Sequence, residues 1–445
     1  MSDAPARVLP RAEEHWLLGS AAAFAAAPHL FPAQAAQRQG GIAGFRVLNK
    51  PFAAIADPVH VNEVMVVRHR QYPRSYHYEN PIVGQGLLST DGEPWLKRRR
   101  QVQPAFRRET LRHLVAVGNE ACDRIFAKWD EQRLAGPIDL TGEMQQLALS
   151  IIGHALLSVE VGWSNAERFA RAVRDGLRLL RRRNTSIVRF PAWLPTPLNR
   201  SLERTRQVLD GYLRPIIAAR RPDPEAHDDI LGSLLRVKDP ESGDALGDQE
   251  ILDETKTLFT AGFETTATAL TWGLLMLARH PEAMAKLQAE VDTVLAGHAP
   301  GWEDLERLPY TSQVVQETLR LYPPVYSLAR ECVEDDVLGG FTVPKGTVLM
   351  LSVLGIHRDA RWWPEPEAFK PERFAGEWPK QAYLPFATGR HLCVGNHFSL
   401  TEMAIVLVRI TQRYRFAVPD PVPVGMQAQI TLVPDRAIAV TLEPR

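Results

Sequence analysis

The chain is expected to be mainly α-helical with small β-sheets, on three observations. Apolar residues recur at helical spacing through most of the chain after residue 90. Leu252 to Arg279 reads as one long helix stopped by His280-Pro281. The β-like runs are short and come from distant segments: Ile42–Asn49, Ala53–Ala56, Val337–Val348 and the stretch near Ile430–Leu442. Length alone would suggest two or three domains of about 150 residues. Central helices with small sheets built from remote pieces argue instead for one mixed domain over residues 1–445, with no internal repeat and no low-complexity tail. A chain this long can bury most of its apolar surface and enclose a cofactor.

Charge and cysteine usage exclude several classes. The 52 basic and 52 acidic side chains give zero net charge, so no bulk attraction to nucleic acid or an acidic membrane is implied. Cys122, Cys332 and Cys393 are far apart and form no Cys-x-x-Cys, which argues against a disulfide framework or a zinc ribbon. Cys393 and His397 lack the spacing of a covalent haem attachment. Unpaired thiols fit a reducing cytosol.

The elements follow in order. Trp16–Phe31 is apolar and alanine-rich, but Ser20, Pro28 and His29 interrupt it. It is shorter than the roughly 20 apolar residues that cross a bilayer. Arg11, Glu13 and Glu14 before it mix signs, unlike a signal peptide. The expectation is a short surface helix or loop, no membrane anchor, and a soluble, bacterial-type cytoplasmic protein. Arg181–Pro197 joins two helices and carries Phe190, Trp193 and Leu194; it reads equally as a mobile lid or an ordinary surface loop. Pro-rich breaks stand at Arg221–Glu225 and Pro419–Val424, and the polar loop Lys238–Gln249 precedes the long helix.

That helix has core-like apolar positions at Leu258, Phe259, Leu270, Leu274 and Leu277. Its middle, Thr260-Ala261-Gly262-Phe263-Glu264-Thr265-Thr266, breaks the pattern. A glycine, a carboxylate and threonines there cost stability, and local violations of this kind mark function. A solvent-facing polar stripe is the alternative, weakened because Ala267, Ala269 and Leu270 resume the apolar character at once.

Phe386 to Gly395 is the most specific stretch. It sets Cys393 between two glycines and ahead of an apolar helix, Phe398 through Arg409. A helix N-terminus stabilises a thiolate, and glycines let the backbone approach something flat and large. Phe386 can cover one side of the sulfur and His391 can reach an anionic group. The set suits a single sulfur ligand to a haem iron. A lone cysteine is otherwise a small buried hydrophobe.

The run FATGRHLCVG resembles the cysteine loop of the cytochrome P450 family, the haem-thiolate monooxygenases, and fills every fixed position of F-x-x-G-x-R/H-x-C-x-G. The resemblance implies that fold, with haem b (iron protoporphyrin IX) between a long distal helix and the proximal cysteine loop and helix. Cys393 would ligate the iron, with Phe386, His391 and Gly395 beside the cofactor. Ala261 to Thr266 resembles the distal motif A/G-G-x-D/E-T. On that likeness Ala261 and Gly262 let the helix pass close over the cofactor. A threonine hydroxyl can disrupt the helical ladder and hold water or dioxygen in a widened turn. Thr265 would hydrogen bond to the oxygen and Glu264 would supply protons.

Glu317-Thr318-Leu319-Arg320 has a spacing that usually makes only a surface ion pair. Here Leu321-Tyr322-Pro323-Pro324 and, later, Phe369 to Phe374 follow it, an order resembling the family's E-x-x-R helix and P-E-R-F segment. The likeness implies that Glu317, Arg320 and Arg373 form a buried ion network behind the haem that locks the cysteine loop. Trp95 and Arg99 resemble the family's W-x-x-x-R; with Arg330 and His391 they would bind the propionates. These motifs run in the family's order over roughly residues 90 to 395.

By the same resemblance the substrate would meet Tyr78, Ile82, Leu88, Ala261, Val325, Tyr326 and Ile430. These are largely apolar or aromatic, with no charged anchor, which suggests a hydrophobic substrate such as a terpene, fatty acid or aromatic compound. The Glu264-Thr265-Thr266 and Leu321-Tyr322-Pro323-Pro324 forms look more like terpene- and fatty-acid-hydroxylating branches than the camphor type. Lys97, Arg98, Arg100, Arg107, Arg108 and Arg112 cluster early, where an acidic ferredoxin or flavodoxin could dock; a solvated basic face is the alternative for Arg98 and Arg100. With no reductase expected in the chain, such a separate protein would deliver electrons to a monomer that uses O2. The rival activities are a peroxide-driven peroxygenase, disfavoured by the presence of both Glu264 and Thr265, and a non-enzymatic haem sensor or redox carrier, disfavoured by the lack of a signalling module.

Overall fold

A computed structural model of the chain describes residues 7–12, 15, 17–74, 81–134, 136–159, 167–185, 190–191, 193–419 and 423–445. Its elements begin with β1 (Arg7–Val8), α1 (Ala21–Ala26), α2 (Phe31–Arg38), β2 (Ile42–Val47), β3 (Lys50–Ile55) and α3 (Pro58–Asn62). They continue with α4 (Gly92–Val102), α5 (Arg108–Gln132), β4 (Ile138–Asp139), α6 (Leu140–Leu157), α7 (Glu167–Thr185), α8 (Pro197–Arg220) and α9 (Ile230–Arg236). Next come α10 (Asp248–Arg279), α11 (Pro281–Leu295), α12 (Pro309–Leu321), β5 (Ser327–Glu331), β6 (Asp336–Leu338), β7 (Phe341–Val343), β8 (Val348–Ser352) and α13 (Val353–His357). The chain closes with α14 (Asn396–Arg413), β9 (Tyr414–Ala417), β10 (Met426–Ala428), β11 (Leu432–Pro434) and β12 (Ala439–Pro444). Among the described residues no helix is long and apolar enough to cross a membrane.

The contacts group the chain into two compact units. One comprises Met1–Tyr78, Gln316–Cys393 and Thr431–Val433. Its main sheet runs β2-β3-β8-β5. β2 and β3 form an antiparallel hairpin pairing Ile42 with Ile55, β3 lies parallel to β8, and β5 returns antiparallel to β8. Leu48, in the hairpin turn, has φ +54°. Phe45 and Phe52 stack on this hairpin at 5.1 Å, and Ala53 to Ala56 are wholly buried. The expected Val337–Val348 run resolves into β6, β7 and the start of β8. Gly339 and Gly340, both at positive φ, turn β6 back on β7. β5 was not expected: a five-residue segment with Arg330 and Glu331 extends because β8 offers it a ladder, a tertiary effect that outweighs local preference.

The other unit comprises Glu79–Val315, Val394–Ile430 and Pro434–Arg445. α10 is its axis, packed against α6, α14 and α8, while α5 lies on α14 and α6. A small antiparallel sheet, β4-β12-β9, joins distant parts of this unit. α10 starts four residues earlier than Leu252 because the Glu250 carboxylate accepts the Gly247 N–H at 2.8 Å and stabilises the first turn. His280-Pro281 ends it and starts α11.

Candidate active site

The middle of α10 carries the first group of candidate residues. From Ile251 to Leu277 every residue is buried except Ala261, Gly262, Glu264 and Thr265. Those four fall at i, i+1, i+3 and i+4, so they make one narrow accessible face in an otherwise enclosed helix. A Cβ on Gly262 would stand 3.1 Å from Ile152 of α6, so the glycine permits close helix packing. The expected break in the ladder is not seen: α10 is continuous α-helix, and the Thr265 hydroxyl donates to the Ala261 carbonyl at 2.7 Å. Back-bonding to the preceding turn satisfies the hydroxyl without opening the helix.

A second group stands in the loop from Phe386 to Gly395. The Cys393 N–H donates to the Phe386 carbonyl at 3.0 Å and closes the loop. Gly389 has φ +68°, and a Cβ there would lie 2.6 Å from the Met65 carbonyl, so only glycine fits. Gly395 is the N-cap residue of α14. Cys393 is exposed, whereas Cys122 and Cys332 are buried, and burial pushes their thiols up to about 12 and about 11. Of the three, Cys393 alone combines access with a loop built to present it.

A third group is an ion network in the same unit as the loop. Glu317 and Arg320 are fully buried. Arg320 Nε and Nη2 grip the two Glu317 oxygens at 2.7 and 2.9 Å. Its remaining N–H groups reach the carbonyls of His357 (2.7 Å), Pro366 (2.8 Å) and Ala368 (3.1 Å), so all five donors are used. Arg373 Nε and the Lys370 N–H also donate to Glu317, at 2.9 and 2.8 Å.

This network contains a residue that the sequence did not reveal. His357 is wholly buried, and burial, aided by Arg320, lowers its pKa to about 3, so the ring is neutral. One nitrogen meets the Arg320 carbonyl at 3.0 Å and the other accepts the Leu384 N–H at 2.8 Å. These partners place the proton on Nδ1. The chain from Glu317 through Arg320 and His357 therefore ends on the backbone two residues before Phe386.

The other expected residues lie as follows. Trp95 is buried on α4, and Arg99 one turn later donates from Nε to Gln103 at 3.3 Å. Arg330 is buried on β5, with Nη1 on the Ala329 carbonyl at 2.7 Å. His391 is half-buried. Leu88, Val325 and Ile430 are exposed, Tyr326 is half-buried with His29 edge-on to its ring, and Ile82 is buried close to Gly176 of α7. Tyr78 lies outside the described residues, as do 186–189 and 192 of the Arg181–Pro197 segment. The basic run differs most from expectation. Lys97 pairs with Asp244, Arg98 with Glu250, Arg100 with Asp239 and Glu241, and Arg112 with Glu303. The sequence shows the cations, but the acids that neutralise them come from far along the chain.

Two further acids were missed. Glu402 on α14 is wholly buried beside the Thr266 hydroxyl, and burial pushes its carboxyl well above the usual range. Thr266 Oγ1 is also 3.3 Å from Ser399 Oγ. Glu254 on α10 is fully buried as well.

Each unit by itself holds residue types that suit haem. The first has one accessible thiol, buried Arg330 as a donor and exposed Val325 and Leu392. The second has a strip of small and proton-bearing residues in a buried helix, buried Trp95 as a donor and exposed Leu88.

A family model described as Cytochrome P450 matches residues 9–440. Cyclooctat-9-en-7-ol 5-monooxygenase of Streptomyces melanosporofaciens is 34% identical over 77% of this chain and 74% of its own. Pentalenene oxygenase of Streptomyces avermitilis is 31% identical over 83% of this chain and 82% of its own. The crystal structure of a cytochrome P450DA heme domain superposes with a TM-score of 0.88 at 25% identity, covering 99% of this chain and 98% of that one.

Proposed function

Because the chain belongs to the cytochrome P450 family and is a monooxygenase of that kind, we propose that it hydroxylates or epoxidises a hydrophobic, terpene-like molecule with electrons from a separate ferredoxin or flavodoxin. The balance is one substrate, one O2, two electrons and two protons giving oxygenated product and one water. The observation that carries this reading is the accessible face Ala261-Gly262-Glu264-Thr265 in an otherwise buried helix, in a chain that also presents one exposed thiol. The substrate class is supported by the apolar side chains at Leu88, Val325 and Ile430 and by relatives named for an alkenol and an alkene.

The residues divide the work. Cys393 would hold the haem b iron through its thiolate, with Phe386, Gly395 and Ala261 against the ring and Trp95, Arg99, Arg330 and His391 on the propionates. When bound, haem supplies the iron that activates dioxygen. Glu264 passes protons inward to Thr265 Oγ, which must first leave the Ala261 carbonyl. Glu317, Arg320 and Arg373 hold the cysteine loop rigid. Ile82 and Tyr326, with the exposed apolar side chains, would select substrate by shape. We take the whole chain to act as one catalytic domain, a monomer in the cytoplasm, where cysteines without disulfides persist.

The test is the reduced, carbon monoxide-treated protein and a Thr265→Ala variant. The spectrum should be that of a thiolate-ligated haem, lost in Cys393→Ser. Thr265→Ala should still bind substrate but divert most of its reducing equivalents to hydrogen peroxide. A histidine-type spectrum in folded, active protein would overturn the ligand assignment, and unchanged coupling would remove Thr265 from proton delivery.

A further inference from the structure

Leu88 sits at the end of a loop whose backbone is fastened to α10 by two buried carboxylates. The Gln85 N–H donates to Asp253 Oδ2 at 3.0 Å. The Leu87 N–H donates to Glu254, at 3.1 Å to Oε2 and 3.4 Å to Oε1. Asp253 is 6% exposed and Glu254 not at all. Two glycines let the loop come this close. A Cβ on Gly84, which has φ +72°, would stand 2.4 Å from the Asp253 carboxylate, and one on Gly86 would stand 2.1 Å from Thr257 Oγ1. The loop thus touches the helix through its main chain and leaves the Leu88 side chain outward, 44% exposed.

The acceptors are themselves fixed. Asp253 takes Gln249 Nε2 at 2.8 Å and lies 3.2 Å from Lys256 Nζ. Lys256, buried to the tip, donates to Asp210 of α8 at 2.7 Å, and Arg206 holds that carboxylate from the other side at 3.0 Å. On α4, Arg98 attracts the Glu254 carboxylate. Carboxyl groups are costly to bury, and here their oxygens serve the loop amides as directional acceptors.

We propose that Asp253 and Glu254 are positioning residues for the substrate: they clasp the Gly84–Leu88 backbone to α10, fix where Leu88 stands, and, through Lys256 and Asp210, tie that loop to α8. This rests on the reading above only in taking Leu88 as a substrate contact.

Hydrogen–deuterium exchange of the substrate-free holoenzyme reads the clasp directly at the Leu87 and Gln85 amides. Glu254→Leu, which removes the acceptor, should raise Leu87 exchange about tenfold or more, while Glu254→Gln, which keeps an acceptor oxygen, stays near wild type. Gly86→Ala approaches the same contact from the loop side and should match Glu254→Leu, so the question is answered even if that variant fails to take up haem. Imidazole and the bulkier 4-phenylimidazole then serve as probes of access. The released loop should admit 4-phenylimidazole several-fold faster and leave imidazole unchanged. Leu87 exchange at the wild-type rate in both Glu254→Leu and Gly86→Ala overturns the clasp. Raised exchange with both azoles unaffected overturns the positioning role. Failure of wild type to bind either azole would instead count against the haem-enzyme reading itself.

Discussion

Burial pushes the Glu254 carboxyl up to about 7, against the attraction of Arg98 and the Leu87 N–H, with Asp253 adding to the rise. In the unfolded chain the same group ionises near 4.5. Between those values the folded protein holds a proton that the unfolded chain has lost. Stability therefore falls as pH rises from about 4.5 to about 7 and is flat above, by up to about 3 kcal/mol. Glu254→Gln should remove that slope: more stable than wild type at about pH 8, and equal to it at about pH 4.5, in denaturant midpoints. His357 acts with the opposite sign. Its lowered pKa means stability that is present above about 6.5 and lost as pH falls toward about 3. A Glu254→Gln curve parallel to wild type would show that the carboxyl is not held protonated. Neither group was legible in the sequence, since Asp253-Glu254-Thr255 and Ile356-His357-Arg358 look like any polar helix edge. Cys393 was legible because its loop needs glycines and an aromatic at fixed offsets, and those are local demands.

Elements were legible where one segment sets its own shape. α10 could be read from apolar spacing and a terminal His-Pro, and its odd centre from residues that violate helix preference. β4, β5 and β9 could not, because two to five residues become strands only when a partner ladder arrives from far away. The cysteine loop lies between these cases: its motif is local, its support is not. Leu384 leads into it and hangs from His357, which hangs from Arg320 at the end of α12. His357→Ala would leave the Leu384 N–H and the Arg320 carbonyl unpaired around a cavity. We expect about 2–4 kcal/mol lower stability. The distinguishing readout is the haem: the reduced carbon monoxide complex should convert from the thiolate form much faster than in wild type, and His357→Gln, which can restore both hydrogen bonds, should recover much of it. If the thiolate form persists in His357→Ala as in wild type, the histidine merely fills space and the loop is held by Glu317 and Arg373 alone.

Zero net charge leaves the molecule without a net monopole, so steering of an electron donor depends on how its charges are distributed. The early basic run was the obvious candidate, but ion pairs inside its own unit consume most of it. Asp239, Asp244 and Glu250, all in or near the loop ahead of α10, meet Arg100, Lys97 and Arg98 on α4. A sequence displays these charges as separate runs, and only folding cancels one with the other. At the head of α5 Arg107 and Arg108 are exposed, the latter lying over Trp302, while exposed Arg112 pairs with Glu303. Reversal of Arg107 and Arg108 to glutamate should slow reduction by an acidic ferredoxin about tenfold at low salt and flatten its salt dependence, because the lost term is a screened attraction. Reversal of Arg98 and Arg100 should chiefly lower stability, since it sets like charges on Glu250 and Asp239 in a partly buried setting. Stopped-flow reduction across a salt series, beside denaturation of each variant, separates the two. Equal reduction rates for wild type and the Arg107/Arg108 reversal at every salt concentration would place the donor elsewhere on the surface.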